Sequence, residues 1–163
     1  TNDYLIRFTY KDADDLEHLD PSEAIARLIA FTWNYFIRNP AFLALLNTEN
    51  VAKARTLKRS TKVKSMHSPF VEMIRTIVER GVESGKFRVA MDPVQLYISI
   101  AGLCFFYLSN SATLSFVFGR DLLKKEAKNE RLQHVITFVL AALTGRSPVV
   151  FQHVSELPAP HLV

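Results

Sequence analysis

The sequence predicts an all-α, multi-helix bundle. Three observations lead there. Helix-start punctuation recurs: Asp20-Pro21-Ser22-Glu23, Asn39-Pro40, Ser68-Pro69 and Asp92-Pro93-Val94-Gln95 each set a capping side chain before a proline suited to a first helical turn. Between these marks apolar residues return at helical spacing. Strands find no place, because the alternating stretch Lys86-Phe87-Arg88-Val89-Ala90 has no second run to pair with.

The elements follow in order. Residues 2–19 read as a first, linking helix. The second covers 21–38 and ends before Pro40, since the residue ahead of a proline is pushed out of the helical region. A short helix is expected over 40–46 and another over 48–62. A long helix starts at Ser65 or Pro69 and runs to Ser84, with Gly85 as its stop. The penultimate helix spans 93–110, and the last runs over 123–144 to Gly145. Residues 146–163 carry Pro148, Pro158 and Pro160 and read as an extended tail. The chain thus divides into a linking helix (1–19), one core domain (20–145) and the tail.

The composition is that of an ordinary globular domain, 48% hydrophobic and 22% charged over 163 residues. A single cysteine, Cys104, excludes an internal disulfide framework and fits a reducing cytosol, so a cytoplasmic setting is expected. The start Thr-Asn-Asp-Tyr has no basic n-region of a signal peptide and no initiator Met, so the chain reads as a fragment or a trimmed product. Its longest near-continuous apolar run, 96–108, would reach about 20 Å of a ~30 Å hydrocarbon core, so no membrane span is expected.

The net charge of +4 is local: residues 53–64 hold six basic side chains (Lys53, Arg55, Lys58, Arg59, Lys62, Lys64) and no acid, leaving −2 for the rest. On a helix, Lys58 and Lys62, like Arg55 and Arg59, would stack four apart as a cationic face. No aromatic is interleaved for base stacking, so a solvated face is the better reading than a phosphate contact.

Catalytic constellations are absent. The sequence has no G-x-S-x-G, no H-E-x-x-H and no phosphate-binding glycine pattern, and an enzyme is not expected. His18, His67, His134, His153 and His161 have no histidine three or four positions away, so neither a metal site nor a cofactor is expected. Cys104 lies in the most apolar helix and reads as a small buried hydrophobe.

Two helices are apolar almost all round, 21–38 and 93–108, which demands burial on both sides. On the last helix Leu132, Val135, Ile136, Val139, Leu140 and Leu143 form a core stripe. Beside it His134, Phe138, Ala141 and Ala142 form a second face, matched on the preceding helix by Ser99, Gly102 and Phe106. Small residues permit close helix approach, so these seven are the candidate homodimer interface. The alternative is one broad core stripe per helix.

The aromatics (12 Phe, 5 Tyr, 1 Trp) concentrate in the second, long middle and penultimate helices. Phe31 and Tyr35 share a face of the second helix, Phe70 and Ile74 share one on the middle helix with His67 a turn earlier, and Ile100, Cys104 and Tyr107 share one on the penultimate helix. These eight are the candidate ligand-binding residues, with Tyr35, His67 and Tyr107 as polar tips among apolar walls. A core whose tyrosine hydroxyls reach the surface fits equally. No acidic residue lies on these faces, so the expected ligand is neutral or weakly anionic, aromatic or amphipathic. A protonated His67 would meet an anionic group; a structural histidine fits as well.

The order of motifs resembles the C-terminal half of TetR-family (tetracycline-repressor-like) transcriptional regulators. The resemblance rests on Phe31-Thr32-Trp33-Asn34-Tyr35-Phe36, Asn39-Pro40-x-Phe42-Leu43 and Leu46-Asn47-x-Glu49-Asn50. It continues in Glu79-Arg80-Gly81, Gly85-x-Phe87-Arg88, Asp92-Pro93 and Leu96-Tyr97. Further on come Phe106-Tyr107-Leu108-Ser109-Asn110, Phe118-Gly119-Arg120-Asp121-Leu122, Arg131 and His134. It covers residues 1–144. It implies an Ω-shaped dimer paired through the last two long helices, an effector pocket, and a helix-turn-helix domain ahead of this region. Nothing before Asp20 reads as such a module, so operator DNA would be bound only through that missing domain. The expected function is that of the effector-sensing, dimerising domain of a bacterial regulator, a repressor released from DNA by a small ligand. A helical small-molecule binding or carrier protein is the alternative, and a small helical enzyme comes third.

Overall fold

In the computed structural model the described residues are 16, 18–55, 58 and 61–145, with the backbone alone over 61–69. They form five α-helices and no strand. The expected helix over 2–19 lies almost wholly outside the described residues, as does the tail.

Helix α1 spans Pro21–Arg38, as its punctuation predicts. The Asp20 carboxylate accepts from the Ser22 N–H at 2.9 Å, satisfying one of the free donors of the first turn. At the other end Asn39 closes the helix, its side-chain and backbone N–H groups both donating to the Tyr35 carbonyl. The buried positions Ala24, Ile25, Leu28, Ile29, Thr32, Trp33 and Phe36 recur in pairs four apart and form one stripe. Each fully buried Ile or Leu there contributes about 1.5–3 kcal/mol. With that stripe α1 is the central helix, packed against every other one.

Helix α2, Pro40–Val51, corrects the expected break at Asn47. Asn47 spends its amide on Ser109 Oγ (3.0 Å) and Thr48 Oγ1 donates to the Ala44 carbonyl (3.0 Å), so neither side chain competes for the helix's own donors. The expected helix over 48–62 is not formed. Its start belongs to α2, and Lys53 (φ 54°) and Ala54 (φ 57°) then turn the chain through left-handed backbone. The basic run therefore does not present one continuous helical face.

Helix α3, Thr61–Glu83, begins ahead of Ser68-Pro69 rather than at it. Pro69 forfeits one helical hydrogen bond, and the buried stripe Phe70, Ile74, Ile77, Val78 holds the helix through it. At Gly81 the chain returns on itself: the Lys86 and Phe87 N–H groups donate to its carbonyl at 2.9 and 2.8 Å, and a Cβ there would overlap the Phe87 ring. Beyond, the Arg88 and Val89 N–H groups cap the Leu143 carbonyl, tying this connection to the end of the last helix.

Helix α4, Pro93–Phe118, starts under the Asp92 cap on the Gln95 N–H (2.9 Å) and runs eight residues past the expected end at Asn110. The polar trio Ser109-Asn110-Ser111 reads as a stop, yet Asn110 donates back to the Phe106 carbonyl (2.8 Å) and Ser111 is buried. The real stop is Gly119, whose φ of 59° suits a residue without a side chain. At 26 residues α4 is long and apolar enough, by length and composition alone, to cross a bilayer. This corrects the estimate from the thirteen-residue run. The core helix of a bundle passes the same test, and α4 packs against α1, α3 and the final helix α5, Lys125–Thr144.

Candidate functional site

Most candidate binding residues converge on the core between α1, α3 and α4. Phe70, Ile74, Ile100, Cys104 and Tyr107 are buried in the core, and Tyr35 packs half-buried against that core. Phe31 is half-buried on α1, and the His67 side chain lies outside the described residues. Ring contacts among the described residues join aromatics across helices. Tyr107 meets Trp33 at 5.7 Å, between α4 and α1. Phe70 meets Tyr97 edge-on at 5.4 Å, between α3 and α4. Tyr35, Phe36, Phe42 and Phe105 join α1, α2 and α4, with Tyr35 edge-on to Phe42 at 5.3 Å and Phe36 stacked on Phe42 at 6.1 Å. Trp33, Phe36, Phe42 and Phe105 are the additions that the candidate set missed. Their signal is the pairing of rings across helices, which helical spacing within one segment does not carry.

The polar tips are less free than the sequence suggests. The Tyr107 hydroxyl donates to the Leu122 carbonyl at 2.8 Å, so a molecule beside it would find an acceptor rather than a donor. The Arg131 guanidinium lies 5.6 Å from the centre of the same ring and donates to the Leu103 carbonyl at 2.9 Å. Burial pushes the Tyr107 hydroxyl above the usual phenol range, with Arg131 opposing, and burial does the same to Tyr97. The Cys104 thiol is pushed up to about 12, by burial first and against the pull of Arg131. A thiol held protonated and fully enclosed is a packing group, not a nucleophile. Among the described residues no three His, Cys, Asp or Glu side chains gather as a metal site.

The candidate interface residues lie elsewhere. Ser99, Gly102 and Phe106 on α4 and His134, Phe138, Ala141 and Ala142 on α5 are all exposed in the single chain. Phe106 and Phe138 show 59% and 56% of their surface, Ile98 adds 54%, and the His134 and Phe138 rings stack at 6.1 Å. A Cβ on Gly102 would meet nothing within 4 Å in this chain. Phe116, Val117 and Phe118, beyond the expected end of α4 at Asn110, are exposed as well, and so is Leu123.

A third feature joins the core to the segment before α1. Arg80, near the end of α3, donates to the Leu16 carbonyl (3.2 Å) and to the Leu19 carbonyl, and Lys86 pairs with Asp20. The helix that carries Phe70 and Ile74 thus also grips the chain where the expected linking helix ends.

Against known sequences, residues 21–139 match the family model described as tetracyclin repressor-like, C-terminal domain. The chain belongs to the tetracycline-repressor-like family. The match runs from the first residue of α1 into the last turns of α5, so this TetR-like domain comprises the central helix and both two-faced helices. The TetR-like chain is also 35% identical over 128 residues to the HTH-type transcriptional repressor NicS of Pseudomonas putida. The alignment covers 78% of this chain and 60% of that relative, so the chain spans less than two thirds of the relative's length.

Proposed function

We propose that the chain is the effector-sensing, dimerising part of a bacterial, cytoplasmic transcriptional regulator, a repressor that a small ligand releases from operator DNA. The observation that carries the reading is the double face of α4 and α5. One face of each fills the core, with Leu96, Ile100, Cys104, Val135, Val139 and Leu143 buried, and the other leaves Ile98, Phe106 and Phe138 more than half exposed. Soluble chains rarely leave large apolar patches uncovered, and a second copy across a two-fold axis would cover this one. The pairing residues in this reading are Ser99, Gly102, Phe106, His134, Phe138, Ala141 and Ala142. A stable interface there would bury more than about 1,000 Å².

The effector in this reading sits against Phe31, Tyr35, His67, Phe70, Ile74, Ile100, Cys104 and Tyr107. It is neutral or weakly anionic, and aromatic or amphipathic. By preferring one arrangement of α3 it would shift the segment that Arg80 grips, and it can do so only through different affinities for the two arrangements. In a paired repressor that changes the separation of two recognition helices, which must match half-sites about 34–36 Å apart. DNA recognition itself belongs to a domain ahead of α1, as the name of the NicS relative suggests.

The test combines two measurements. Native mass spectrometry of the chain with a panel of small aromatic and amphipathic molecules should give a one-to-one complex per chain, while light scattering should give a dimer that Ala142→Arg disrupts. A monomer that binds none of the panel would reject the reading. The chain alone should bind DNA weakly, without sequence preference, and lose it with added salt. Tight, selective binding to an operator fragment at physiological salt would contradict it.

A further inference from the structure

The basic segment is not used by either the core or the exposed face of α4 and α5, and its backbone is unusual. Val51 ends α2, and two consecutive non-glycine residues, Lys53 and Ala54, then adopt left-handed backbone. Such conformations are costly for residues with a Cβ and persist where the surroundings hold them. Here the turn is held by hydrogen bonds from the Lys53, Ala54 and Arg55 N–H groups to the carbonyls of Asn50, Glu49 and Ala52.

The consequence is convergence. On a continuous helix Arg55 and Lys58, three apart, would share a face, and Lys53 would lie on the opposite one. In the turn they line one surface hollow of about 450 Å³ with Val51 and Ala52. All three are exposed, and among the described residues none of them forms an ion pair. No acid occurs in the sequence between Glu49 and Glu72, and Glu49 is buried and absent from the described lining. Three cations gathered in one concavity repel one another unless an anion answers them.

We propose that this turn is a binding site for phosphate-type oxyanions, with Lys53, Arg55 and Lys58 as its cationic lining. Arg55 supplies a planar fork that fits two oxygens of a phosphate, and the lysines supply point charges around it. Val51, 86% exposed, and Ala52 give an apolar edge that suits an organic phosphate or the sugar edge of a nucleic-acid backbone. The site is separate from the aromatic core, so it can be tested without knowing the effector.

The experiment is calorimetric titration of the chain with inorganic pyrophosphate, at low salt and at physiological salt, with a parallel titration of a short random-sequence DNA duplex. Saturable binding is expected, weakened at least about tenfold when Lys53→Ser, Arg55→Ser and Lys58→Ser are combined. It should be kept within a few-fold by the charge-preserving pair Lys53→Arg and Lys58→Arg, and by the control pair Lys125→Ser and Lys128→Ser on α5. Pyrophosphate binding without duplex binding identifies a free small phosphate as the ligand. Duplex binding displaced by pyrophosphate identifies a nucleic-acid backbone. No saturable binding of either probe, or equal affinity in the triple variant, overturns the proposal.

Discussion

The two faces of α4 are built from similar residues and meet different surroundings. The inner face presents Leu96, Ile100, Cys104, Tyr107 and Ser111, and the outer face presents Val94, Ile98, Gly102 and Phe106. Apolarity alone does not distinguish them. The inner face is additionally tied by polar bonds: Tyr107 to Leu122, Ser115 Oγ to the Ser111 carbonyl at 2.6 Å, and the Leu122 N–H to Ser115 Oγ at 3.0 Å. Arg131 from α5 reaches the Leu103 carbonyl on the same helix. The outer face has the aliphatic and aromatic bulk of a core, and its bond from Asn110 to the Phe106 carbonyl stays within the helix. Hydrogen bonds to neighbouring segments thus fix the register of the inner face, and in the proposed reading the outer face is covered by a second copy.

A matched pair of substitutions separates the faces most strongly. Ile100→Ala removes a side chain that is 2% exposed and should cost about 2–5 kcal/mol in urea unfolding. Ile98→Ala removes the same atoms from a side chain 54% exposed and should leave the single chain within about 0.5 kcal/mol while weakening self-association. Equal losses at the two positions would break the comparison.

Gly81→Ala comes next. It touches neither face, but its Cβ would overlap the Phe87 ring, and Phe87 is 2% exposed with little room to retreat. Overpacking of this kind should cost about 1–3 kcal/mol, read from the same unfolding midpoint.

Tyr107→Phe sharpens the reading of the inner face. It keeps the ring against Trp33 and deletes the bond to the Leu122 carbonyl, and should cost about 1 kcal/mol with no effect on pairing. Tyr107→Ala should weaken effector binding, yet it also removes the ring from the core, so Tyr107→Phe is the cleaner probe of the hydroxyl.

How much of this was legible beforehand depends on the kind of signal. Helix α1 was readable to the residue because Asp20-Pro21 and Asn39-Pro40 act locally. The ends of α2 and α4 were not, because Asn47, Thr48 and Asn110 look like breakers until their side chains are seen bonding to Ser109 or to the preceding turn. Helix α3 starts at Thr61, ahead of both expected starts, Ser65 and Pro69, because a buried stripe outweighs the one hydrogen bond lost at Pro69. At the candidate site, spacing three or four apart sets Ile100 and Cys104 on one side of α4 and Ser99, Gly102 and Phe106 on the other, and the first side is buried and the second exposed. Spacing could not show that the Tyr107 hydroxyl is already engaged, nor that Trp33 and Phe42 complete the aromatic layer, since both depend on contacts between helices.

The smallest effect near neutral pH is that of Cys104. Its folded value near 12 lies above the ordinary thiol value of about 8.5, so the folded state favours the protonated form. That preference costs nothing below the ordinary value and removes stability as pH rises between the two. The stability of the unaltered chain should therefore fall across that alkaline window, and Cys104→Ala should lose this component of the fall. At neutral pH the thiol should resist a thiol-specific reagent until the chain unfolds.

The most direct test of the outer face is the mass of the chain in solution. Light scattering at micromolar concentration should give twice the 18.5 kDa of one chain, and Ala142→Arg should shift the population toward a single chain. A clean 18.5 kDa species from the unaltered chain under these conditions would contradict the claim that this face is made to be covered by a second copy.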